Sequence, residues 1–242
     1  MELLNSVWHN QLAPKSFCKL KQLKIESCSK LSNVFPSYVL DKLQKLETVT
    51  VTDCLALEVV FETQGLKADG GMHTMLDMHL KTLTLEKLPK LKHIWSGNPN
   101  ESFKFQNICL LRVTKCEILN HVLPLSMAKK LQHLQKIYIE ECGIKMFAAP
   151  DELLDKDLIL IFPELTSLSF RHLTQLQSFY RGLHTLDCPV LRHVDVLHCD
   201  KLSLFKPRSP NCQEKVPDET PPLLSIEQVH STSQYSADKC HF

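Results

Sequence analysis

Ten cysteines and twelve histidines lie among the 242 residues of this chain. Thiols and imidazoles in such numbers can form disulfides, hold a metal ion, or build a nucleophile with its base. Spacing decides between these. No C-x-x-C pair and no H-E-x-x-H occurs, and the adjacent pairs His198-Cys199 and Cys240-His241 lack a second pair at ligand spacing. The phosphate cradles G-x-x-x-x-G-K-[ST] and G-x-G-x-x-G are missing, as is the G-x-S-x-G elbow, and Gly70-Gly71 reads as a loop turn. The residues therefore predict no catalytic site, no metal and no other cofactor, and the chain is not expected to be an enzyme.

Five of the cysteines share one place in a repeated line. With Leu46 of LETVTVTDCLALEVVF as position 0, apolar residues fall at positions 0, 3, 5, 11 and 14, and Cys54 at position 8. The same line starts at Leu20 (LKQLKIESCSKLSNVF), Leu80, Ile108, Leu134, Leu165 and Leu191. The steps are 26, 34, 28, 26, 31 and 26 residues, and the copy from Leu134 loses register after Cys142. L-x-x-L-x-L-x-x-N/C-x-L at a period of 20–29 residues is the leucine-rich-repeat signature. The L-x-L part predicts a short strand with two residues inward and its neighbours outward. Cys28, Cys54, Cys116, Cys142 and Cys199 then sit in the turn after the strand, where buried backbone groups need partners. Leu88 and Leu173 replace them in two copies. Cysteine at this position is a structural plug, and none of Cys18, Cys109, Cys188, Cys212 and Cys240 has a nucleophile's context.

The fold predicted is an α/β leucine-rich-repeat solenoid, a horseshoe with a parallel concave sheet and an irregular or short-helical convex side. One repeat leaves both flanks wet, so the copies must stack as one elongated domain. This domain is placed at 1-206, about seven repeats plus a truncated N-terminal one, because Leu4, Val7 and Trp8 reproduce positions 11, 14 and 15. Residues 207-242, rich in Pro, Ser, Thr and charge, predict a disordered C-terminal tail. PSYVLDKLQK (36–45) and PLSMAKKLQH (124–133) predict short helices with Ser37 and Ser126 near the first turn. Segments 64–73 and 96–105 read as loops, and 148–158 as a helix of one or two turns.

With 28 basic and 27 acidic residues the net charge is +1, which offers no general attraction for nucleic acid or an anionic membrane. No apolar run is long enough to span a membrane, and MELLNSVWHNQ is no signal peptide, so a cytoplasmic, reducing location is expected. What remains for function is the outward face of the strands. Leu110, Arg112, Tyr138, Arg171, His172 and His193 form the candidate partner-binding patch, since Arg and Tyr are favoured in protein-binding hot spots. A merely solvated sheet face is the alternative.

The run L-x-x-L-x-I-x-x-C-x-x-L-x-x-V-F followed by Pro-Ser (20–37), with EKLPKLKHIW (86–95) and LEVVFE (57–62), resembles the C-terminal repeats of plant coiled-coil, nucleotide-binding, leucine-rich-repeat (CC-NB-LRR) disease resistance proteins. The resemblance covers about residues 1–206. It implies a protein-protein recognition and autoinhibitory repeat module of a plant intracellular immune receptor in the defense response to pathogens. Its partners would be a pathogen effector, a host guardee, or the nucleotide-binding domain missing from this chain. The nucleotide-binding residues of such receptors have no counterpart here, and the N-terminal start inside a repeat reads as a fragment. Two other readings stand beside it: a leucine-rich-repeat substrate receptor of a ubiquitin ligase, and a truncated product with no function of its own.

Overall fold

Alternation at positions 2 to 6 fixes which side chains face inward, and the computed structural model places all seven predicted strands in one parallel sheet. It describes residues 4–8, 13, 16–63, 76–96, 103–150, 160–180 and 186–202. The strands are Gln22–Glu26, Thr48–Thr52, Thr82–Glu86, Leu110–Thr114, Lys136–Glu140, Ser167–Arg171 and His193–Leu197, side by side in chain order. Equal positions pair across every junction: Lys24 with Thr50, Thr50 with Thr84, Thr84 with Arg112, Arg112 with Tyr138, Tyr138 with Ser169, Ser169 with Asp195. From repeat 2 to repeat 6 the residues at positions 3 and 5 are fully or almost fully buried, from Val49 and Val51 to Leu168 and Phe170. The apolar residues at positions 0, 11 and 14 join them in one continuous core.

Each strand ends in the same turn. Ser27, Asp53, Lys87, Lys115, Glu141, His172 and His198, all at position 7, have φ between 51° and 56°. A non-glycine residue in this left-handed region costs about 1–2 kcal/mol. The turn recovers that cost through bonds between coils. The N–H of Ser27 donates to Thr52 O at 3.1 Å, that of Asp53 to Glu86 O at 3.0 Å, and that of His172 to Leu197 O at 2.8 Å. The cysteine that follows joins the same network. Cys54 Sγ donates to Thr52 O at 3.4 Å, Cys116 Sγ to Thr114 O at 3.4 Å, and Cys142 Sγ to Glu140 O at 3.2 Å. The N–H of Leu88, which replaces cysteine in its repeat, donates to Lys115 O at 3.2 Å. A thiol that donates to the strand's last carbonyl replaces the asparagine this position otherwise takes. The eight described cysteines are unbridged.

The fifth repeat shows why its register slips. In the other six, the N–H at position 11 closes onto the carbonyl at position 8, as in Leu119 to Cys116 at 3.3 Å. After Cys142 the turn is one residue shorter, and Gly143 N–H reaches across to Cys116 O at 3.1 Å instead. A Cβ on Gly143 would stand 1.9 Å from Glu117 O. Only glycine lets the chain approach so closely. Ile144 and Phe147 then regain the interior, both fully buried.

The far side carries more strand than an irregular or short-helical surface implies. Asn33–Phe35, Val59–Glu62 and His93–Ser96 form one three-stranded parallel sheet, and Leu123–Pro124, Met146–Ala149 and Ser178–Tyr180 another. Positions 13 to 15 are rich in β-branched and aromatic residues, which suit extended backbone. Two-residue strands pair Leu76–Asp77 with Phe103–Lys104 and Leu160–Ile161 with Leu186–Asp187. The stretch read as a loop from 96 thus begins at a strand end, Ser96, and holds a short strand at 103–104, while 97–102 and 64–73 lie outside the described residues. Ala148 and Ala149 finish a strand rather than start a helix, and 151–159 lie outside the described residues, as does the tail 207–242.

The two predicted helices are single turns, Ser37–Leu40 and Leu125–Ala128. Pro36 and Pro124 rather than the serines occupy the N-cap positions, with Ser37 first and Ser126 second in its helix. An aromatic column runs along the stack. Trp8 and Phe35 lie 6.1 Å apart, Phe35 and Phe61 4.8 Å, and Phe61 and Trp95 5.7 Å, all stacked. Trp8 Nε1 donates to Val34 O at 2.6 Å, consistent with its place at position 15. The far-side strands break between His93–Ser96 and Leu123–Pro124. Beside that break the buried Trp95 Nε1 has no hydrogen-bond partner among the described residues.

Candidate functional site

Strand pleating sends positions 2, 4 and 6 to the outer face of the long sheet. The second and third repeats line it with Thr48, Thr50, Thr52, Thr82 and Thr84, half-buried between neighbours. In the first repeat Lys24 Nζ and Glu26 Oε2 pair at 2.7 Å. This half of the face is hydroxyl-lined and nearly neutral.

The second half carries the charge. The guanidinium of Arg112 lies 4.2 Å from the ring centroid of Tyr138 on the next strand. Tyr138 Oη donates to Glu140 Oε2 at 2.6 Å. That bond, together with burial, pushes the phenol above its ordinary pKa and keeps it a neutral donor. Arg171 sits opposite Glu140 in register. Its Nε donates to Asp195 Oδ2 at 2.7 Å, and Ser169 Oγ adds a bond to the same oxygen at 3.3 Å. The hydrogen bond and the charge of Asp195 raise the already high pKa of Arg171 further.

The patch named from the sequence is thus brought together in part. Arg112 and Tyr138 share one group of contacts with Glu140, and Arg171 another with Asp195, side by side over four neighbouring strands. Leu110, half-buried, stands across from Lys136 at position 2. His193 is exposed at position 2 of the last strand, opposite Ser167. His172 lies outside the strand face, in the left-handed turn at position 7, where its ring stacks on His198 at 4.8 Å. Glu140 and Asp195, which hold Tyr138 and Arg171, were not singled out in the sequence. Their signal is register: Asp195 falls at position 4 of its repeat and Glu140 at position 6, beside the residues they fix.

Burial disfavours the thiolate at several interior cysteines. Burial is the largest cause that pushes Cys54, Cys188 and Cys199 above the ordinary thiol pKa, Cys188 to about 12. Among the described residues no group of three or more His, Cys, Asp or Glu is placed to hold a metal ion. No helix among them is long and apolar enough to cross a membrane. The arrangement is a surface of fixed donors and rings over an inert interior, suited to contact with another molecule.

No curated protein and no solved structure matches the chain. A family model described as plant disease resistance protein RPS2-like, leucine-rich repeats, matches residues 1–143, more than half of the sequence. With seven coils in register, a cysteine in the turn of five of them, and that match, the chain belongs to the leucine-rich repeats of the RPS2-like plant disease resistance family.

Proposed function

We propose that this chain is a protein-recognition module of a plant intracellular immune receptor, acting through the outer face of its long sheet in the cytoplasm. It binds and does not turn over a substrate. The observation that carries this reading is the contact chain Arg112–Tyr138–Glu140 beside Arg171–Asp195. Arginine and tyrosine held in place lose little side-chain freedom on binding, which is what makes such residues anchors. The partner is a pathogen effector or a host protein under surveillance. In the coiled-coil, nucleotide-binding type of receptor the repeats would also restrain the nucleotide-binding region, by contact with the same stack.

Proximity labelling in leaf cells tests this. The wild-type chain is compared with Arg112→Ala/Tyr138→Ala/Arg171→Ala and with a control changed on another surface, Leu55→Ala, which is exposed in a turn. A set of proteins labelled by wild type and control but lost with the triple variant, at unchanged melting temperature, is the expected result. The same set from all three chains removes this face from recognition.

A further inference from the structure

We infer that the outer face at repeats 4 and 5 receives an acidic segment of a partner protein, with a carboxylate seated between Arg112 and Lys136. The inference rests on the recognition reading above and adds the chemistry of what is recognised.

Charge accounting points to this place. On the outer columns, Lys24 is neutralised by Glu26 and Arg171 by Asp195. Arg112 and Lys136 are exposed and make no ion pair with any described residue. They stand on adjacent strands, since Lys136 pairs with Leu110 and Tyr138 with Arg112. One strand spacing and two residues of rise put their Cα atoms about 8 Å apart. Two cations at that distance can share one carboxylate, the guanidinium with two parallel bonds and the ammonium from the side.

The seat is arranged before anything arrives. Tyr138 holds Arg112 by its ring, and the bond to Glu140 holds the phenol. An arginine already ordered loses less freedom when it engages a ligand. Leu110 supplies an apolar contact beside the charge. The face is also polarised. Positions 2 and 4 of these repeats carry the cations, whereas Glu86 and Glu140 line position 6. A segment with its acid at positions 2 to 4 is attracted, and the reverse placement is repelled, which fixes its direction across the strands. Two unpaired cations on a chain of net charge +1 suit a carboxylate better than a nucleic acid, whose affinity grows with a train of phosphate contacts.

The test uses fluorescein-labelled short peptides of alternating Glu and Leu, the same peptides with Gln for Glu, and a single-stranded oligonucleotide, followed by anisotropy at low and high salt. The acidic peptide is expected to bind about tenfold more tightly than the Gln peptide, and to weaken as salt screens it. Arg112→Gln/Lys136→Gln should remove that advantage, while Lys24→Gln leaves it. Equal binding of both peptides, no binding of the acidic one at millimolar concentration, or tighter binding of the oligonucleotide through the same two residues overturns the inference. The glutamine double variant also enters the leaf-cell labelling. Labelling kept there but lost with the triple alanine variant overturns the acidic seat and leaves the recognition reading standing. Labelling kept in both overturns both.

Discussion

The Arg112 guanidinium lies 4.2 Å from the centre of the Tyr138 ring, at equal positions of adjacent repeats. A cation over a ring at an exposed site contributes about 0.5–1 kcal/mol. A double-mutant cycle on Arg112→Ala and Tyr138→Ala, read from urea unfolding, should return a coupling of that size. Each single change should cost little more, because neither side chain enters the core. A coupling of zero would mean the ring does not hold the guanidinium in solution.

Gly143 is the one described glycine whose replacement meets backbone. Gly143→Ala drives a methyl group into Glu117 O, and overpacking of this kind costs about 1–3 kcal/mol or more. The loss should appear as a lower urea midpoint. One residue inserted beside the alanine restores the turn length of Cys116 to Leu119, and should recover part of it. Equal midpoints for wild type and Gly143→Ala would contradict the close approach.

Phe61 is held between Phe35 and Trp95 and meets the edge of Phe105 at 5.5 Å. Phe61→Ala opens the middle of the column and should cost about 3–5 kcal/mol. Both tryptophans of the chain stand in this column, so their emission is the readout. A red shift at a lower midpoint is expected. Unfolding as stable as wild type would show that the aromatic stack is not part of the shared core.

Burial disfavours the thiolate of Cys188 and pushes its pKa from the ordinary 9.0 up to about 12 in the folded chain. Above pH 9 the unfolded chain releases this proton and the folded chain retains it. The unfolded state then binds fewer protons, so stability falls as pH rises. The slope approaches about 1.4 kcal/mol per pH unit for this one thiol. Cys188→Ala should flatten the decline between pH 9 and 11 relative to wild type. Alkylation at pH 8, followed by mass spectrometry, should mark exposed Cys18 quickly and Cys188 only as the chain unfolds. Parallel pH curves for the two chains would contradict the burial of that sulfur.

Much of the fold was legible because the repeat writes it seven times. Val49 and Val51 alternate, Cys54 follows at a fixed distance, and the structure places both where that line puts them. The left-handed turn was hidden, because its occupants, from Ser27 to His198, share a backbone conformation and no side-chain type. The far-side strands were hidden for another reason. Two or three residues such as Val34-Phe35 are too short for periodicity to separate strand from coil. Gly143 was visible as a glycine, but the need for it lies in Glu117 O, a carbonyl of the preceding coil. At the outer face the column lists held every residue of the contact chain. What they lacked was pairing, and the ion pair of Arg171 with Asp195 comes only from the register of adjacent strands.

The account stands on that register, because a slip of one residue would turn Arg112 and Tyr138 into the core and expose Val113 and Ile139. Interstrand NOEs in a deuterated, isotope-labelled sample test it most directly. The account predicts an unbroken chain of contacts linking Lys24, Thr50, Thr84, Arg112, Tyr138, Ser169 and Asp195 in that order. A missing link between two of these strands, or contacts offset by one residue at the junction of Arg112 and Tyr138, would contradict it.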